Sequence, residues 1–106
     1  MIRIEIHKDK QQYTGFTSQG HAGYAEAGYD IICAAVSVLT VTTVNSIETF
    51  TKDKFSVKQK EGFLEVTLEG TVSRETALLL DSMILGLQGI QNDYGNEYIK
   101  LIFKEV

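Results

Sequence analysis

The chain has 106 residues, enough for one modest hydrophobic core and no second folding unit. Its 43% apolar and 23% charged residues fit an ordinary globular protein and exclude disordered, collagenous and low-complexity classes. A net charge of −4 opposes a phosphate-tracking surface, so nucleic acid is not expected as a ligand, whereas a basic partner is favoured.

Ile2, Ile4 and Ile6 alternate with Arg3, Glu5 and His7, predicting a strand over residues 2–7 with one buried face and His7 on the other. The same alternation, which lacks a basic patch followed by an unbroken apolar stretch, predicts no secretory leader. No apolar run is expected to reach the roughly 18 residues of a bilayer span, so neither membrane contact nor export is predicted and the cytoplasm is the expected location. Lys8 to Gln12 make a reversal, and Tyr13 to Gly20 form a second, less regular strand of a hairpin.

From Ile31 to about Phe50 the apolar residues Ile32, Ala35, Val36, Leu39, Val44, Ile47 and Phe50 recur mostly at spacings of three to five, which predicts a helix despite its β-branched threonines. Asp30 stands where a helix cap belongs. A second hairpin follows, with Phe55, Val57 and Gln59 before a turn at Glu61-Gly62 and a strand over Phe63 to Glu69. Ser73 or a neighbour opens a second helix with a buried stripe of Ala77, Leu80, Met83, Ile84, Leu87 and Ile90, and Gly95 marks its exit. The last strand alternates Ile99, Leu101 and Phe103 with Lys100 and Lys104. The order is β-β-α-β-β-α-β. It predicts an α+β fold, a single domain over residues 1–106 with a five-stranded, largely antiparallel sheet and two helices on one face.

One stretch resists a purely structural account. Residues 20–34 hold Gly20, Gly23 and Gly28, Tyr24 and Tyr29, His21 and the sole cysteine, Cys33. The glycines suit an irregular connection, a lid in which Gly23, Tyr24, Gly28 and Tyr29 gate a ligand, although an ordinary surface loop is the plainer explanation of the glycines alone.

A single cysteine forms no internal disulfide, and no zinc-type spacing surrounds it; His21 and Cys33 without a third ligand make a poor metal signal, so no metal or cofactor is expected. Cys33 falls in the first helical turn, where free amides and the helix dipole favour a thiolate, well below the free-thiol pKa of about 8.5. The commoner fate of a cytosolic cysteine, burial in the core, is the competing account. If the second strand ends near the start of the helix, His21 meets Cys33 and the two form a dyad. The imidazole would take the thiol proton and return one to a leaving amine, while the amides of Cys33 and Ala34 hold the oxyanion. Asp30 could orient His21 or simply cap the helix, two roles of about equal weight. Glu26 is a weaker candidate in the loop, and Ser37 is expected to bond back to its own helix and take no catalytic part.

The string GHAGYAEAGYDIICAAVSVLTVTTVNSIE, residues 20–48, resembles the bacterial ribosomal-processing cysteine proteases, the Prp family. The likeness rests on Gly20-His21-Ala22, on Asp30-Ile31-Ile32-Cys33-Ala34 with Val36 and Ser37, and on Thr43-Val44-Asn45; Ala35 stands where glycine is often found. It implies a homodimeric, cytoplasmic endopeptidase that removes a short N-terminal extension from a large-subunit ribosomal protein and cuts after aromatic residues. By the same resemblance Cys33 is the nucleophile, His21 the base, and residues 22–30 a flexible loop over the substrate. Two other readings compete: a non-catalytic module binding a basic ribosomal or assembly partner, and a thiol protein whose Cys33 is modified by oxidation.

Overall fold

The computed structural model describes residues 1–26 and 30–106. The elements in chain order are strands β1 (Ile2–Asp9) and β2 (Gln12–Gln19), helix α1 (Ile31–Phe50), strands β3 (Phe55–Lys60) and β4 (Phe63–Leu68), helix α2 (Arg74–Tyr94) and strand β5 (Ile99–Glu105). The predicted order of elements and the one-sided sheet are both present.

The five strands lie in the order β3-β4-β2-β1-β5, so the sheet is mixed: three neighbouring pairs are antiparallel, and β1 and β5 run parallel with Ile2 opposite Ile99. The register lines up Ile6, Phe16 and Val66 in the core, and sets Val57 of the edge strand β3 beside Val66, where it remains exposed. Ile4, Ile6, Phe16, Ile32, Ile47, Leu80, Met83, Leu87 and Ile99 lose nearly all contact with water. Each such large aliphatic or aromatic side chain contributes roughly 1.5–3 kcal/mol on burial. The opposite face is polar, and there His7 sits 3.3 Å from Glu5, a place that accounts for His7 without chemistry.

Helix α1 departs from expectation in one respect: by length and composition it is apolar enough to cross a membrane. The threonines explain how so apolar a helix carries hydroxyls in its buried stripe. Thr40 and Thr43 donate their hydroxyl protons to the carbonyls of Val36 and Leu39 one turn back, at 2.9 and 2.7 Å, and are then buried beside Ile32, Val36 and Ile47. The two helices approach closely at Gly86, where a Cβ would come within 3.0 Å of Leu39.

Asp53 ties the first hairpin-helix half to the second. Its carboxylate accepts from the amide and hydroxyl of Ser73, at 2.9 and 2.6 Å, and from the Thr76 hydroxyl, while Ser73 caps α2 by accepting from the Thr76 amide at 3.2 Å. These donors, the Ser73 hydroxyl foremost, hold the Asp53 carboxyl below its ordinary range. Its stabilising contribution is therefore complete above the unfolded-chain value near pH ~4 and is lost as the pH falls through the lower folded value. Asp53→Ala is expected to cost about 1–2 kcal/mol at neutral pH. Denaturant midpoints of the two proteins should converge as the pH drops below ~4; a constant gap across that range would contradict the assignment.

Candidate active site

The site forms where four pieces of chain meet: the end of β2, the start of β1, the first turn of α1 and the β3–β4 turn. Gly20 leaves β2 with φ +99, and a Cβ there would strike the Met1 carbonyl oxygen at 2.5 Å, so only glycine lets the chain pass. Its amide donates to the Gly62 carbonyl at 2.9 Å, and the amino group of Met1 donates to the His21 carbonyl. These bonds set the backbone of His21 while leaving its ring exposed.

Asp30 is the cap of α1. One carboxylate oxygen accepts from the amides of Ile32 and Cys33, both at 3.0 Å, and the other from the Tyr24 amide at 3.2 Å. Among the described residues no hydrogen bond joins Asp30 to His21, so of its two expected roles the structure displays capping, with a tie to the loop added. Partial burial works against the Asp30 charge, but the amides of Cys33, Tyr24 and Ile32 outweigh it and hold the carboxyl low.

Cys33 is half-buried in the first turn and accepts from the Ala22 amide through Sγ at 3.2 Å. His21 and Cys33, twelve residues apart, line the same two cavities. One, of about 160 Å³, runs between α1 and the β3–β4 hairpin past Val36, Val41, Phe63 and Leu64; the other, of about 420 Å³, opens toward Gly23, Asp30 and Ala34. No hydrogen bond links ring and thiol among the described residues.

Four details differ from expectation. First, the thiol is not stabilised as a thiolate in this resting arrangement. Burial pushes it up, the Ala22 N–H pulls it back, and the nearby Asp30 carboxylate pushes it up again, for a net rise. Position in a first turn is not enough, because the capping carboxylate answers the very amides that would have faced the sulfur. Second, the amides expected to hold an oxyanion are occupied: Cys33 N–H by the Asp30 side chain and Ala34 N–H by the Asp30 carbonyl at 3.1 Å. Third, Ser37 makes no side-chain hydrogen bond among the described residues and instead lines both cavities with His21 and Cys33. Its i+4 spacing from Cys33, which puts both on one helical face, was the available signal.

Fourth, Tyr24 is 42% exposed and its ring meets Tyr94 at the end of α2 and Tyr98 just beyond it edge-on, with centroids 5.7 and 5.2 Å away, and it lines neither cavity. Of the other expected gating residues, Gly23 lines the larger cavity, and Gly28 and Tyr29 lie outside the described residues. Glu26 is exposed and lines neither cavity.

Asp30→Asn keeps an oxygen for the cap but removes the charge beside the sulfur. Alkylation of Cys33 by iodoacetamide as a function of pH is expected to inflect above the free-thiol value of about 8.5 in the wild type and to move downward in the variant. An unchanged or higher inflection would remove Asp30 from the thiol's electrostatics.

Residues 1–100 match the family model described as cysteine protease Prp. The chain belongs to this family. It is therefore a cysteine protease, and Cys33 is its sole cysteine. It is 32% identical over 107 residues to the ribosomal processing cysteine protease Prp of Staphylococcus aureus, covering 98% of this chain and all of the relative. The Bacillus subtilis protein of the same name is 27% identical, covering 89% of this chain and 90% of that one. A crystal structure of the S. aureus Prp with a covalently linked product peptide superposes with a TM-score of 0.91 at 32% identity, over 98% of this chain and all of that one. Another, with a substrate peptide, gives 0.86 at 30% identity over the same shares.

Proposed function

We propose that this Prp-family protease removes the N-terminal extension of a large-subunit ribosomal protein, with Cys33 as nucleophile and His21 as general base and acid. The observation that carries this reading is that the only thiol and the His21 imidazole open onto the same two cavities at the start of α1. His21 takes the Sγ proton as sulfur attacks the scissile carbonyl carbon. Proton removal by the ring answers a thiol that burial and Asp30 hold protonated at rest. The charge that develops on the carbonyl oxygen is received by the Ala22 N–H, which already points at Sγ and gains an anionic acceptor next to it. Collapse of the tetrahedral intermediate breaks the C–N bond, the amine leaves with the proton from His21, and a water activated by the same ring hydrolyses the thioester.

The apolar wall of Val41, Phe63 and Leu64 in the narrower cavity suits an aromatic side chain on the acyl side of the cut bond. Substrate binding along residues 22–30 would place part of this loop over the peptide. A net charge of −4 favours a basic ribosomal protein as partner and disfavours nucleic acid. The protein is proposed to act in the cytoplasm, where a lone thiol stays reduced, and as a homodimer, a state that the exposed Val38, Leu78 and Leu85 on the two helices support. The deciding experiment incubates the protein with a precursor bearing an extension that ends in aromatic residues and follows the products by mass spectrometry. A single cut after the aromatic residue, absent after alkylation of Cys33, is the expected result; an intact precursor or scattered cuts would refute the reading.

A further inference from the structure

The exposed ring of His21 does not stand free. It lies over the β3–β4 turn, and a Cβ built on Gly62 would come within 3.1 Å of its Nε2, 3.6 Å of Cε1 and 3.8 Å of Cδ2. The ring thus occupies the space that any side chain at position 62 would need. The contact is held from the backbone side as well, since the Gly20 amide, one residue before His21, donates to the Gly62 carbonyl at 2.9 Å. Gln19 pairs with Phe63 on the other side of the same turn. Gly62 has φ +70 and lines the narrower cavity with His21 and Cys33.

From this we infer that Gly62 is a positioning residue: its bare Cα is the platform that sets where the His21 ring stands relative to Cys33. The inference rests on the reading of His21 as base for its catalytic consequence, though not for the placement of the ring. Because His21 is exposed, a methyl group at position 62 would be relieved by movement of the ring rather than of the backbone beneath it. The cost then falls on catalysis more than on stability.

Gly70 offers a matched control, with φ +65 and nothing within 4 Å of a Cβ. Gly62→Ala and Gly70→Ala carry the same left-handed backbone strain, and only the first meets His21. Gly62→Asn, a residue that tolerates this backbone region, repeats the ring contact with less strain and serves should the alanine variant fold poorly. Three quantities are compared: thermal midpoint, the NMR signals of the His21 ring through a pH titration, and the pH profile of kcat/KM on the precursor.

The expected result is that both alanine variants melt alike, while the Gly62 variants alone shift the His21 ring signals, lower kcat/KM by roughly tenfold and displace the limb of the pH profile governed by the ring. Unshifted ring signals in folded Gly62→Ala or Gly62→Asn would overturn the inference, as would, with His21→Ala inactive, shifted signals with an unchanged pH profile and rate. His21→Ala, run alongside, separates the two ideas. Full activity in that variant removes the base reading, whereas the ring signals of the Gly62 variants still decide whether Gly62 places the ring.

Discussion

Cys33→Ala is expected to abolish cleavage of the precursor, lowering kcat/KM by at least roughly 10⁴-fold, while the protein melts within a few degrees of the wild type. The loss is large because a Cys-dependent mechanism has no substitute route: without sulfur there is no acyl-enzyme, and water is left to attack an unactivated amide. The fold survives because Cys33 is only half-buried at the margin of the core, and alanine is at home in a first helical turn. What is given up structurally is the acceptor of one amide hydrogen bond, from Ala22. Cys33→Ser restores an acceptor for that amide but not a nucleophile of comparable reactivity, so it should restore stability without activity. Measurable turnover by Cys33→Ala at more than about a hundredth of the wild-type rate would transfer the chemistry to another residue.

His21→Ala carries the second large effect, an expected fall of 10²–10⁴-fold at neutral pH. Its diagnostic feature is the shape of the pH profile. In the proposed mechanism the ring takes the thiol proton as sulfur attacks, so a thiol held above its ordinary value is not expected to limit the wild-type rate at neutral pH. In the variant the thiolate must form on its own, and the sign follows from the causes of the upward shift. Burial and the Asp30 charge disfavour the ionised sulfur, so the residual rate should climb with pH and keep climbing past the free-thiol value of about 8.5. Combining His21→Ala with Asp30→Asn should bring that climb to lower pH. A neutral-pH rate equal to that of the wild type would show that His21 takes no part in proton transfer.

Much of this architecture was legible from residue order. Period-two alternation at Ile2, Ile4 and Ile6 marks β1 with one wet face, and the stripe from Leu80 to Leu87 marks α2; along the edge strand β5 the same alternation gives the strand but not its burial, since Ile99 is buried and Phe103 is exposed. Asp30 and Ser73 cap the two helices as their chemistry requires, each accepting from amides two or three residues on. These features are local: a side chain and its neighbours within a turn or two decide them. Ser37 shows the limit of such reasoning. A serine inside a helix has a local answer in its own backbone, yet this one faces the cavities that His21 and Cys33 share.

The sequence by itself determined which residues could do chemistry, since one thiol and a histidine beside a glycine-rich connection leave few alternatives, and it determined the order and type of the elements. Tertiary structure alone decided how those residues are tuned. The parallel pairing of β1 with β5 sets the first strand beside the last, Ile2 against Ile99 and Lys8 against Glu105, a contact that no short-range pattern encodes. Burial first, and then the capping carboxylate beside the sulfur, raise the thiol that a first helical turn was expected to lower, and the β3–β4 turn slides Gly62 under the His21 ring. Periodicity reports burial along one segment, whereas charge, desolvation and ring placement depend on which distant segments end up within a few ångströms, and that is settled only when the sheet closes over its helices.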